Sequence, residues 1–88
     1  MIINFSNAPS WFHNYLTAVY LDQFHADCVR AGVAPVRMKN VEGRMKLLNF
    51  ASEWFNSNGE QTWVENNKLM FHFDDRKVTF AALKYNDE

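Results

Sequence analysis

The 88-residue sequence has few of the residues that crosslink or interrupt small domains: one cysteine, three glycines and two prolines. The single Cys28 excludes an internal disulfide and a cysteine-rich zinc site. Small secreted domains usually carry several cysteines, so the sequence predicts a cytoplasmic protein. Its apolar runs are short, and its first residues lack the basic and apolar regions of a signal peptide. We therefore expect no membrane span and no secretory signal.

An excess of charge of one sign is also missing. Nine basic and ten acidic side chains leave a formal charge of -1, whereas proteins that coat DNA usually carry a strong basic excess. The sequence is instead 48% hydrophobic and 16% aromatic, which offers enough apolar surface to offset the entropy of ordering the chain. A chain of this length has no room for a second core. The composition predicts one folded domain, residues 1–88.

Two stretches carry the signals of helices. Residues 10–31 contain no glycine or proline, follow Pro9 and end before Gly32, which is a natural C-terminal stop. Residues 41 to about 56 follow Asn40, a plausible cap, and keep their apolar side chains on one face. In the first helix the apolar stripe shifts around the cylinder beyond Tyr20, which indicates a bend, two packing neighbours or a partner.

After Gly59 the apolar period changes from about 3.6 to 2. Three strands are predicted, at residues 62–65, 68–73 and 77–85. Asn66-Asn67 is predicted as a two-residue turn, since asparagine tolerates positive φ, and residues 74–76 as the second turn. Residues 2–5 are either an edge strand or a tail packed by Phe5. The predicted fold class is α+β: two helices followed by a three-stranded antiparallel meander, with a short N-terminal strand as an option.

These turns set the register of the meander and divide its side chains between two faces. One face pairs only apolar residues and is predicted to be buried: Val64 with Leu69, Phe73 with Val78, Phe71 with Phe80, and Leu69 with Ala82. The outer face pairs Trp63 with Met70 and His72 with Thr79, and so is only half polar. A sheet covered on one side normally shows a polar outer face. Five residues are therefore predicted to bind a partner, unless a helix or the N-terminal segment covers them: Trp63, Met70, His72, Ala81 and Leu83.

A basic segment at residues 30–46 is the second candidate surface. It carries five basic residues and one acidic residue, Glu42, in a chain whose net charge is -1. Such asymmetry can steer a polyanion, although it is also typical of a solvated connector and helix face. The candidate nucleic-acid-binding residues are Arg37, Lys39, Arg44 and Lys46.

The sequence contains no constellation typical of catalysis or metal binding. The three histidines, His13, His25 and His72, are at least twelve residues apart and form no metal-ligand pair. Cys28 and His25 could touch on one helix, but no oxyanion donor accompanies them. Asp74 and Asp75 are more typical of a turn than of general acid–base catalysis. We predict no catalytic residues, no metal and no cofactor.

In its shortness, its aromatic density and its lack of a chemical motif, the chain resembles the small accessory proteins of bacteriophages, which bind and modulate host enzymes or defence systems. The resemblance is one of build and assigns no functional residue. It implies a non-enzymatic protein that modulates another macromolecule, most simply another protein, by occupying its surface. A self-complementary outer face would give a homodimer. The alternative function is binding of RNA or single-stranded nucleic acid through the basic segment and the sheet aromatics.

Overall fold

The computed structural model describes residues 1–33 and 41–86, and for residues 41–43 the backbone alone. Within these ranges the elements are β1 (Ile2–Asn4), a 3-10 helix (Phe5–Asn7), α1 (Ser10–Ala31), α2 (Val41–Ser57), β2 (Gln61–Glu65), β3 (Lys68–His72) and α3 (Asp75–Lys84). The predicted α+β class and both predicted helices are confirmed. The order differs at its two ends, because a strand opens the described chain and a helix closes it.

α1 ends at a glycine stop and packs on two different neighbours along its length. Gly32 adopts a left-handed φ of 72°, and its amide donates to the last carbonyls of the helix, a conformation that favours glycine. The N-terminal half of α1 packs on the sheet through Phe12, which is fully buried. The C-terminal half packs on α2, where the Phe24 and Phe55 rings stack 5.2 Å apart. The shifted apolar stripe therefore reflects two packing neighbours.

The sheet is antiparallel, with strand order β1-β3-β2. The predicted hairpin is confirmed: Trp63 pairs with Met70 and Val64 with Leu69. Asn66 and Asn67 have φ values of 50° and 62°, as a two-residue turn matched to the strand twist demands. The optional N-terminal strand is also confirmed, since Ile3 of β1 pairs with Phe71.

The predicted third strand at residues 77–85, and the turn before it, are wrong, because this stretch is α3. The Asp74 side chain accepts a hydrogen bond from the Arg76 amide and caps the helix. Four side chains at helical spacing turn toward the interior: Val78, Ala81, Ala82 and Tyr85. β1 takes the place of the missing strand beside β3, so the four cross-strand pairs predicted between residues 69–73 and 78–82 do not form.

Aromatic rings join the sheet to both long helices. Phe71 in β3 meets the Phe12 ring of α1 at 5.1 Å and the Phe55 ring of α2 at 5.3 Å, both nearly edge to face. Such pairs contribute about 0.5–1.5 kcal/mol each beyond the burial of their surface. The core therefore lies between one face of the sheet and the layer formed by α1 and α2.

The free edge of β2 is covered by a side chain of α2. The amide of Thr62 donates to Asn56 Oδ1 at 3.0 Å, and Asn56 Nδ2 donates to the Thr62 carbonyl at 2.9 Å. The Asn56 amide thus satisfies the backbone groups that a neighbouring strand would otherwise pair with. This contact opposes edge-to-edge pairing with another chain at Thr62.

If Asp75–Lys84 forms a helix, the sign of the change in unfolding free energy on substituting an exposed α3 residue can be predicted. Thr79 is exposed on α3, so Thr79→Ala should raise the free energy of unfolding by about 0.5 kcal/mol, because alanine has the higher helix propensity. In a strand the same change should lower it, since threonine has the higher strand propensity. Urea denaturation followed by circular dichroism measures the difference. Destabilisation by Thr79→Ala would contradict the helix.

Candidate functional site

The outer face of the sheet, on the side away from α1 and α2, carries two cross-strand rows. Strand alternation places them opposite the buried Ile3, Phe71 and Thr62. The register aligns one row as Asn4, Met70 and Trp63, and the next as Ile2, His72 and Gln61. Three of the five residues predicted to bind a partner, Trp63, Met70 and His72, therefore lie on one surface.

Exposure on the outer face is uneven. Trp63 and Met70 are half-buried, whereas His72 and Ile2 are exposed. Neither Trp63 nor Met70 belongs to the hydrophobic core or packs against it. The outer face consequently combines an indole and a thioether with polar neighbours, as the register predicted.

The other two predicted binding residues are not on the sheet. Ala81 is 4% exposed and lies in the core, so its placement on an outer face is wrong. Leu83 is 76% exposed, but on α3. Both errors have one cause, because a helix turns residues 81 and 83 about 200° apart, whereas a strand turns them to the same side.

α3 displays an apolar surface that the sequence reasoning missed. Phe80 is 66% exposed and lies one helical turn from Leu83. Lys77 and Lys84 flank them, and the Lys84 ammonium lies 5.8 Å from the centre of the Phe80 ring. We call Phe80, Leu83, Lys77 and Lys84 the α3 patch. The signal was present in the sequence, since residues 78, 81, 82 and 85 have helical spacing and leave Phe80 outside.

The basic segment is only partly visible. Arg37 and Lys39 lie outside the described residues. Arg44 and Lys46 are exposed on α2. Trp63, which the nucleic-acid hypothesis requires beside them, lies on the outer face of the sheet, away from α2.

A polar network links α1 to the start of β2. The hydroxyl groups of Tyr15 and Tyr20 both donate to Glu60 Oε2, each at 2.6 Å. Tyr15 and Glu60 also line a cleft of about 560 Å³ together with His72 and the first residues of α3. Two short bonds to one carboxylate oxygen hold the tyrosines in place rather than leaving the carboxylate free.

The same network changes how the tyrosines ionise. Burial, and then the hydrogen bond to Glu60, raise the pKa of Tyr20 to about 12. The same two causes, in the same order, raise the pKa of Tyr15 still further. Both hydroxyl groups therefore remain neutral donors throughout the neutral and mildly alkaline range.

The position of Cys28 in the interior disfavours reaction of its thiol. Cys28 is fully buried, and burial followed by the nearby Asp27 charge raises the pKa of its thiol, which disfavours the nucleophilic thiolate. His25, its suggested companion, is exposed. Among the described residues no three His, Cys, Asp or Glu side chains come together as a metal site. In the same part of the chain, no helix combines the length and apolar character needed to span a bilayer.

A second cavity, largely apolar, opens between α1 and α2. This groove has a volume of about 370 Å³ and reaches the hairpin turn and the 3-10 helix. Its walls include Leu16, Tyr20 and Phe24 from α1, Leu48 and Phe55 from α2, and Leu69 from β3. None of the motifs identified in the sequence indicated it, because its walls come from segments far apart in the chain.

The tyrosine network predicts a loss of stability at high pH. Raised pKa values mean that the contribution is complete below the unfolded-state value near 10 and is lost as the pH rises toward about 12. Tyr20→Phe should therefore flatten the fall in unfolding free energy over this range, and cost about 1 kcal/mol at neutral pH. Urea denaturation at a series of pH values measures both effects.

Tyr85→Phe is the matched control at neutral pH, since the Tyr85 hydroxyl makes no hydrogen bond to any described residue. It should cost less than Tyr20→Phe. An unchanged alkaline slope in Tyr20→Phe would show that the network does not couple to folding.

Comparison with known proteins identifies no relative of this chain: no protein-family model, curated protein or solved structure matches it. Among the described residues, the α3 patch carries the two most exposed large apolar side chains, Leu83 and Phe80.

Proposed function

We propose that this protein is a non-enzymatic binding protein that occupies the surface of another protein through the α3 patch. The observation that carries the proposal is the exposure of Phe80 and Leu83, 66% and 76%, one turn apart on a helix whose opposite face is buried. Adjacent large apolar side chains are enriched at contact surfaces. Neither side chain belongs to the core.

Contacts with α1 fix the position of the helix that carries the α3 patch. Ala81 is buried on the opposite side of α3. At the end of the helix, Asn14 Nδ2 donates to the Tyr85 carbonyl at 2.9 Å, and the Tyr15 and Tyr85 rings meet edge to face at 5.4 Å. A surface fixed in advance loses little conformational entropy on binding, so more of its contact energy becomes affinity.

Charge indicates the chemistry of the partner. Lys77 and Lys84 flank the apolar pair, whereas the guanidinium of Arg76 is already occupied by both oxygens of Asp74. The two lysine ammonium groups would complement carboxylates at the rim of an apolar recess. The proposed partner is therefore a protein with an acidic-rimmed apolar pocket. Modulation of that partner, the action implied by the resemblance to phage accessory proteins, is part of the proposal.

The outer face is proposed as a subordinate contact. Trp63 and Met70 are half-buried and offer less apolar surface than the α3 patch, although the exposed Ile2 and His72 adjoin them. Trp63→Ala should consequently weaken partner binding less than a substitution in α3.

Capture of a partner from lysate by the immobilised chain tests the proposal when variants are compared. Leu83→Asp should abolish capture, because a buried interfacial leucine replaced by a charge costs about 2 kcal/mol or more, roughly thirtyfold in Kd. Val29→Asp is the matched control, since Val29 is also a branched aliphatic residue, 57% exposed, but lies on α1. The control should retain the partner at full yield.

Three other results would overturn the proposal. Equal loss of the partner in Leu83→Asp and Val29→Asp would show that the α3 patch is not the contact. Capture that nuclease abolishes, with a steep fall as salt rises, would identify nucleic acid as the partner. Self-association that Leu83→Asp abolishes, measured by sedimentation of the purified chain, would show that the patch pairs with a second copy.

A further inference from the structure

The apolar groove between α1 and α2 carries a separate inference that does not depend on the α3 patch. Folding leaves it open although its walls are among the best-packed residues of the chain: Leu16, Phe55 and Leu69 each line it while remaining buried. Leu21 and Phe5 lie at its margin and are partly exposed. A concave apolar site with few polar groups is the usual form of a small-molecule site.

The charged side chains that line the groove are of one sign, although neutral polar side chains such as Ser6 and Thr17 line it as well. The lining includes Arg44, Lys68 and His13, and no acidic residue is among the described lining residues. The chain as a whole has ten acidic and nine basic side chains, whereas the two charged side chains described at the groove are both basic. Neither Arg44 nor Lys68 forms an ion pair with any other described residue. Within the part of the chain that the structure describes, both cations are therefore available to an anion from outside.

We propose that the groove binds a monomeric amphipathic anion, an acyl chain that ends in a carboxylate. The apolar walls would cover the chain, and the guanidinium and ammonium groups would donate charge-assisted hydrogen bonds to the carboxylate. The volume of about 370 Å³ lies within the range of pockets that take small ligands. The proposed ligand class is therefore a medium-chain fatty acid, and decanoate is the probe.

Titration of the full chain with decanoate, kept below its micelle concentration, tests this directly. Two-dimensional amide NMR should show saturable shifts at Leu16, Leu48 and Leu69, which line the groove. Decylammonium has the same chain length and the opposite charge, and it should bind at least about tenfold more weakly. Vesicles of an anionic phospholipid should not bind the chain, because the proposed ligand is a monomer rather than a membrane surface.

Two variants with a shared control localise the site. Leu21→Asp adds a negative charge at the margin of the groove and should weaken decanoate binding about tenfold or more. Val29→Asp makes the same change on the same helix outside the groove and should leave binding unchanged. Arg44→Gln removes one proposed carboxylate partner and should weaken binding by about threefold.

Several outcomes would overturn the proposal. They are no saturable binding of decanoate, equal binding of decanoate and decylammonium, amide shifts confined to α3 or the outer face, and equal effects of Leu21→Asp and Val29→Asp. Sedimentation with anionic vesicles would also overturn it in favour of a lipid surface. None of these results depends on partner capture, so the failure of this inference is distinguishable from failure of the α3 patch.

Discussion

The fold depends most on the contacts that the buried Phe71 ring makes with Phe12 and Phe55. Phe71 lies in the central strand, meets one ring from each of the two long helices, and is 1% exposed. Because strand side chains alternate, placing Phe71 inward places Met70 and His72 outward. The chain leaves β3 after His72, and α3 begins at Asp75. The Phe71 contact therefore positions the outer face of the sheet, whereas packing against α1 positions the α3 patch.

Local patterns in the sequence predicted the local parts of the fold. The hairpin followed from alternation on either side of two asparagines that tolerate positive φ, and the bounds of α1 from its flanking Pro9 and Gly32. Residues 77–85 were ambiguous because Val78 and Ala82 fit both a strand and a helix. The choice turned on whether Ala81 or Phe80 faces inward. Local spacing fits both structures, and the long-range contact between α3 and α1 settles the choice.

The features that the sequence did not predict depend on contacts between segments that are distant in the chain. β1 occupies the edge of β3 although about seventy residues separate Ile2 from His72, and this pairing removes the position in which a third hairpin strand was expected. Glu60 lies between the predicted second helix and first strand, and only the packing of α1 brings Tyr15 and Tyr20 to its carboxylate. The apolar groove likewise exists only where α1, α2 and the hairpin turn converge. By contrast, the sequence correctly predicted that Trp63, Met70 and His72 share one face, because the two-residue turn between β2 and β3 sets the register of the hairpin.

The energetics of folding separate the surfaces that hold the molecule together from those available for binding. The aromatic contacts around Phe71 and the tyrosine bonds to Glu60 connect helices to the sheet, so their loss would be felt in stability. Phe80 and Leu83 make no contribution to the core, and because they stay mostly exposed they gain little from the hydrophobic effect on folding. The cations at the groove are similarly unpaired among the described residues. A small domain has little stability to spare, so apolar and charged groups left unused by its core are the places where an external partner gains most from contact.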